Sequence, residues 1–576
     1  MPLKAAPWQC FKRGKWRFWD PFIGWTATSA CFGLQAVQIL VFHRSFKQTM
    51  KAHTPLFLGL DSSTQSLSAV VIDLDHGRVV YEKSLNFDQS LPQFGTQNGV
   101  LPNKNPLVRH GNPLLWVAAM DLIFAAMKQD GVPLDRIASI SGSGQQHGSV
   151  YLNEKAAKIL AQLDPRRDLQ SQLRGIFSRC TAPIWMDSST TRECGEIREK
   201  LGGLQKMIEA TGSDAFERFT GPQIRKFYRT SPSSYAGTRH IALVSSFMAS
   251  VLSGRLAPID YGDGAGMNLM DIRRRQWHAR ALRATAPGLA RLLPDLAPAG
   301  TVIGRISPYF ASKYGVNPQA FSCVWTGDNP ASVVGLGLIQ PGQAAISLGT
   351  SDTLFGTLEE CRTDANGGGH LFGSPAGGYM SLICFKNGSL AREHVRKQFG
   401  LKDWATFARQ VDRAPIGNHG AILLPWFEPE IVPRVLKAGP RRIDLDENDP
   451  PANCRAIFEG QALAMRLHSR WMKITPKTLL ATGGGANDRT LLQIMANVFK
   501  CKVQRIEVSK SAALGAALQA AYGFLKAQEK SPSWPKLVRP FCKPMPNTCF
   551  LPNAKAMVIY DQMIQKYAAC ELSALA

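Results

Sequence analysis

At 576 residues the chain exceeds the length at which one hydrophobic core keeps growing, so two domains of roughly 200–270 residues with a cleft between them are expected. A composition of 45% hydrophobic and 19% charged residues with 50 glycines is that of a soluble globular enzyme and excludes disordered, collagen-like and solenoid architectures. The formal net charge of +24 is dispersed rather than gathered in a stripe, which argues against nucleic acid and for attraction of small polyanions.

Twelve cysteines, among them Cys180, Cys194, Cys323, Cys384 and Cys501, show no CxxC and no paired spacing. They read as buried thiols of a reducing compartment, hence a cytoplasmic location.

The first fifty residues stand apart. Lys4, Lys12, Arg13, Lys15, Arg17, Arg44 and Lys47 face a single acid, Asp20, among Trp8, Trp16, Trp19 and Trp25. Residues 22–42 carry no charge and, at about 1.5 Å per residue, are long enough to cross roughly 30 Å of hydrocarbon. Thr26, Thr28, Ser29, Gln35 and Gln38 nevertheless make a poor membrane span. Residues 1–54 are therefore set aside as an extension, whether an organelle-targeting segment, an anchor or a mis-assigned start ahead of Met50.

From Leu56 to Asp75 an apolar run ends at Asp61, a short polar turn follows, and a β-branched run returns, which predicts a strand hairpin. Ser62, Ser63 and Thr64 let backbone N–H groups approach an anion, and Asp61 at the strand end can hold Mg²⁺ or its bound water. A plain hairpin with an Asx turn fits the same letters.

Further along, ISGSGQQHGSV places His147 at a glycine-rich strand end, where its ring could bond a polyol. Asp187 to Thr191 (DSSTT) reads as a capped helix start. Arg218 could hold hydroxyls, although a surface ion pair is the usual fate of such a residue. The loop Asp260–Asp271 is polar and glycine-rich and could line the same site.

Thr326-Gly327-Asp328-Asn329 follows an apolar segment and precedes a helix, so Asp328 projects from a strand end. It is placed either as a general base or as a helix N-cap. A second hairpin turn, Gly349-Thr350-Ser351, repeats the first arrangement at Ala344–Phe355. From Thr478 to Glu507 the order is strand, turn Gly483-Gly484-Gly485, helix, strand, with unpaired N–H groups at the helix start. The small-residue helix Ser511–Tyr522 is expected to pack on the preceding strand. No GxxxxGK[ST] occurs, which excludes a P-loop kinase.

Two anion-clasping hairpins, a glycine turn and one poised carboxylate are the parts that phosphoryl transfer to an alcohol requires.

The stretches GSGQQHGSVY, WMDSSTT, ERFTGPQI, IDYGDGAGMNL, VWTGDNPAS, ISLGTSDTLF, CFKNGSL and ATGGGAND resemble the FGGY carbohydrate kinases, from about Leu56 to Phe524 and covering both domains. The resemblance implies an α/β fold of two ribonuclease-H-like, actin/hexokinase-type domains. They would span 55–325 (sugar-binding) and 326–530 (nucleotide-binding), with a tail at 531–576. The implied activity is ATP- and Mg²⁺-dependent phosphorylation of D-xylulose to D-xylulose 5-phosphate. It places the base on Asp328 and the sugar contacts on His147, Arg218, Asp328 and Asn329. Nucleotide contacts fall on Asp61, Ser62, Ser63, Thr64, Gly349, Thr350, Ser351, Trp404, Gly484, Gly485 and Asp488.

Two positions depart from the family pattern: Asp488 stands where an uncharged amide is common, and Asp214 where a basic residue is expected. The expected partners are the sugar and ATP, with no nucleic acid, membrane contact only through 22–42, and a monomer or homodimer. Another sugar or polyol of the family, or a non-catalytic sugar sensor on the same scaffold, are the alternatives.

Overall fold

A computed structural model describes residues 54–576; the stretch 22–42 and Met50 lie outside the described residues. The expected hairpin is present, with Leu56–Ser62 (β1) antiparallel to Ser66–Asp73 (β2). Arg78–Asn86 (β3) extends β2, and Ile137–Gly144 (β4) runs parallel to β1 with Asp61 beside Ser143. Val302–Arg305 (β5), Phe321–Cys323 (β6) and the two-residue Thr326–Gly327 (β7) complete a sheet ordered β5-β6-β4-β1-β2-β3, with β7 also on β4.

β1 is apolar on both faces because both are covered. Leu56, Leu58 and Leu60 join the core around Trp116, Met120 and Phe124 of the helix Pro113–Gln129 (α1), whereas Phe57 points into a separate cluster on the other face.

The second sheet is built alike. Ala344–Leu348 (β8) and Asp352–Leu358 (β9) are antiparallel; His370–Gly373 (β10) and Tyr379–Phe385 (β11) extend β9. Thr478–Thr482 (β12) runs parallel to β8, followed by Lys502–Ile506 (β13) and Pro544–Phe550 (β14), giving the order β10-β11-β9-β8-β12-β13-β14. The remaining helices that shape the site are Tyr261–Ala265 (α2), Asp328–Gly335 (α3), Ser389–Gln398 (α4), Trp404–Arg413 (α5), Pro450–His468 (α6), Arg489–Phe499 (α7), Ser511–Ala527 (α8) and Ala554–Leu575 (α9).

Packing does not follow the divisions expected along the chain. β7 is a strand of the first sheet although it begins the segment assigned to the second domain. α8, expected against its preceding strand, lies instead on β1 and β4 and beside α3. Small residues permit this approach: a Cβ on Gly59 would stand 2.0 Å from the Ala513 carbonyl oxygen, and one on Gly515 only 1.9 Å from that of Ala331. Residues 531–576 are no loose tail either, since β14 closes the second sheet and α9 buries Tyr560, Ile564 and Tyr567 in its core.

Among the described residues no helix is long and apolar enough to cross a membrane. All ten described cysteines are unpaired, and Cys180 and Cys549 are exposed rather than buried.

Candidate active site

The end of β1 and the junction of β7 with α3 bring Asp61 and Asp328 together. Gly327 is the N-cap of α3 and Asp328 its first residue, so Asp328 is not the cap. Its Oδ1 accepts the Asn329 N–H at 2.8 Å, Asn329 Nδ2 at 3.1 Å and the Gln146 N–H at 3.4 Å. Asn329 Nδ2 also donates to Gln146 Oε1 at 2.9 Å. Glycine at 327 is a steric demand, because a Cβ there would meet Gln146 Cγ at 2.4 Å.

Burial pushes the Asp328 carboxyl up to about 6, against the hydrogen bonds that lower it. Asp61 accepts Ser143 Oγ at 2.8 Å, and burial, then the charge of Asp328, push it up to about 7.

The rest of the first turn is less available than the sequence suggested. Ser62 is a paired strand residue with a fully buried side chain, and Ser63 spends its N–H and hydroxyl on Ser66. Thr64 at the tip accepts the exposed Trp185 indole N–H at 2.8 Å and lies 3.4 Å from Gln145 Oε1.

Among the residues expected to hold the sugar, His147 sits at φ 70° and bonds the Gly266 carbonyl through Nδ1 at 2.9 Å, which leaves Nε2 as an acceptor. Its ring lies on Phe219, centroids 4.4 Å apart, and burial followed by the charge of Arg218 holds its pKa at about 3. Arg218 is half-buried and makes no surface ion pair: it lies over Phe216 and Phe219 and donates to His370 Nε2 at 2.9 Å. The neighbouring Glu217 pairs with Arg434 instead.

The Asp260–Asp271 loop does reach the same floor. Asp260 caps α2 through the Gly262 and Asp263 N–H groups and accepts Thr326 Oγ1 at 2.8 Å, with burial raising it to about 6. Asp263 accepts Ser245 Oγ and is driven well above the carboxylate range by burial, by Asp260 and by Asp328. Asp187 caps nothing: its helix starts at Thr191, and the buried carboxylate instead holds the Arg109 N–H, Ser189 and Gln223.

Where the nucleotide contacts are expected, a cavity of about 890 Å³ gathers Gly349, Thr350, Trp404, Gly484, Gly485 and Asp488, together with Asn487 and Arg392, which sequence reasoning missed. Ser351 is in the same turn but does not line that cavity. Gly483 has φ 86°, and a Cβ on Gly483 would stand 2.6 Å from the Leu348 carbonyl oxygen, so the glycine turn can lie directly on the β8–β9 turn. Asp488 caps α7 by accepting the Leu491 N–H at 2.9 Å.

Beneath the turn, Arg392 of α4 makes a two-pronged, fully buried ion pair with Asp352 at 2.8 and 3.0 Å and donates to Gln461 of α6. Gln461 in turn holds the Asn387 and Gly388 carbonyls. An arginine among the charges of α4 reads as a surface residue, so its letters carried no signal of this. The departure at Asp214 is likewise structural: Arg198 clamps it through Nε and Nη2 at 2.7 and 2.8 Å.

With this geometry fixed, comparison with known proteins gives the class. Residues 180–335 match the N-terminal and 344–524 the C-terminal domain of the FGGY family of carbohydrate kinases. A xylulose kinase of Rattus norvegicus is 40% identical over 524 residues, covering 89% of this chain and 96% of that protein. The chain belongs to the FGGY family of carbohydrate kinases, phosphotransferases that use ATP.

The fold is the two-domain, actin/hexokinase-like one. A xylulose kinase from Lactobacillus acidophilus superposes with a TM-score of 0.75 at 18% identity, covering 91% of this chain and 99% of its own. A gluconate kinase from the same organism also scores 0.75 at 18%, covering 90% and 98%. The fold therefore does not choose the sugar.

Proposed function

We propose that the protein phosphorylates D-xylulose at its C5 hydroxyl, with ATP as donor and Asp328 as general base. The observation that carries this reading is the half-buried Asp328 carboxyl at the start of α3, adjoined by Asn329 and pushed up to about 6 by its burial. It is ionised at neutral pH and basic enough to take an alcohol proton as the transition state forms. The choice of D-xylulose rests on the relative that is 40% identical, a xylulose kinase; the four groups His147, Arg218, Asp328 and Asn329 would hold its hydroxyls.

Two half-buried carboxylates with no lysine or arginine against them among the described residues, Asp61 and Asp328, suit a divalent cation. No group of three ligating side chains exists among the described residues, so Mg²⁺ would be held by Asp61 largely through its own waters and the nucleotide phosphates. Bound there, it neutralises charge on the transferring phosphoryl group.

The chain's own groups do the rest. The backbone of the Gly349–Ser351 turn and the Gly484-Gly485 turn receive phosphate oxygens and the face of the nucleoside, with Trp404 at the rim. His147 and Arg218 orient the sugar. Closure of the two halves keeps water from competing for the phosphoryl group. The proton leaves the C5 hydroxyl for Asp328.

ADP release by the full chain with Mg-ATP should be measured against D-xylulose, D-ribulose, L-ribulose, glycerol and gluconate. D-xylulose should give the highest kcat/KM. Preference for another sugar would move the substrate, and silence on all five from a folded, ATP-binding protein would favour a sensor.

A further inference from the structure

His370 opens β10, the edge strand of the second sheet, and nothing in the sequence marks it. Its ring is 1% exposed, between Phe216 and Phe219 at centroid distances of 4.8 and 5.3 Å. Arg218 Nη2 lies 2.9 Å from His370 Nε2. A guanidinium has only donors to offer, so Nε2 is the acceptor and the neutral ring carries its proton on Nδ1. Burial, then the charges of Arg218 and His147, all oppose the imidazolium, in keeping with that tautomer.

Nδ1 is itself buried and has no hydrogen-bond partner among the described residues. Buried donors are nearly always satisfied in folded proteins, so one left over beside a binding cleft needs an acceptor from elsewhere. The same cluster holds Arg218, a half-buried cation with no carboxylate in ion-pair contact among the described residues, and His147 in its left-handed backbone. It also lies where the halves meet, for Leu371 next to His370 donates its N–H to the Gly212 carbonyl at 3.1 Å.

We propose that His370 is a further sugar-binding residue, contributed by the second half: Nε2 fixes the guanidinium of Arg218, and Nδ1–H donates to a hydroxyl oxygen of the acceptor sugar. The proposal rests on the carbohydrate-kinase reading of this site, with the sugar at His147 and Arg218. It makes sugar binding a bond between the two halves and not only a filling of one.

The test uses the full chain with His370→Phe, which keeps the ring volume without nitrogens, His370→Gln, whose amide takes the place of Nε2 only, and His370→Asn, whose amide takes the place of Nδ1 but falls short of Arg218. KM for sugar and KM for ATP are measured separately alongside melting temperature, on whichever sugar the unaltered protein turns over best.

His370→Phe should raise the sugar KM at least tenfold while the ATP KM stays within twofold, and His370→Asn, which keeps an N–H donor in the place of Nδ1, should recover more of the loss than His370→Gln. A folded His370→Phe protein with a sugar KM within twofold, or with both KM values rising together, overturns the proposal. Should His370→Phe not fold, a sugar KM for His370→Asn no better than for His370→Gln overturns it. A best sugar other than D-xylulose removes the substrate reading and leaves this comparison valid. Silence on every sugar removes both.

Discussion

The charge of Asp328 raises the proton affinity of Asp61: burial pushes the Asp328 carboxyl up to about 6, and burial followed by that charge pushes the Asp61 carboxyl up to about 7. The Asp328 shift is held back by the Asn329 and Gln146 hydrogen bonds, and that of Asp61 by the Ser143 hydroxyl.

A pH profile follows from the raised Asp328 carboxyl. kcat/KM should fall about tenfold per pH unit below about pH 6, as Asp328 takes up the proton that disables it as a base. Because burial and not the Asp61 charge raises Asp328, the acidic limb should persist at the same pH in the residual activity of Asp61→Asn. A limb that shifts down by a unit or more in Asp61→Asn would contradict burial as the cause.

The same raised affinities cost stability. Unfolded carboxylates titrate near ~3.9, so between there and about 7 the native state holds protons that the unfolded state has released. Stability therefore falls as pH rises through that window and is fully penalised only above it. Asp61→Asn should melt above the unaltered protein at pH 8, with a difference that shrinks towards pH 4. An equal shift at both pH values would show that packing, not charge, is responsible.

Arg392 and Asp352 lie at the proposed nucleotide site. Removing the cation strands a fully buried carboxylate beside the Gly349 turn, so Arg392→Met should cost about 3–5 kcal/mol in denaturant unfolding. The double change with Asp352→Asn should recover part of it. In both, the KM for ATP should rise more than that for sugar. A KM for ATP unchanged in the folded variant would separate the pair from the site.

At position 488 the family's common amide can be tested directly. Asn caps a helix as well as Asp does, so Asp488→Asn should keep the melting temperature, while loss of a carboxylate from the lining of the nucleotide cavity should lower the KM for ATP. A raised KM would assign Asp488 a role of its own in holding the nucleotide.

Local periodicity made the hairpins at Asp61 and Gly349 and the Gly483–Gly485 turn legible, since each is written in consecutive residues. His147, Arg218 and Asp328 could be named for the same reason: their motifs are local and specific. What stayed hidden depends on distant neighbours. Nothing near Ser511 says that α8 crosses to β1, although Gly59 and Gly515 are the space it needs. His370, Asp263 and the Arg392–Asp352–Gln461 network are ordinary letters whose burial only the assembled fold creates. Ser62 and Ser63 show the converse: a motif residue can be committed to its own turn.

The measurement closest to the central claim is turnover by Asp328→Asn with Mg-ATP and D-xylulose, after calorimetry shows that both ligands still bind. The account predicts a kcat lower by about 10²–10⁴ with little change in either affinity. A near-normal kcat would contradict Asp328 as the proton acceptor.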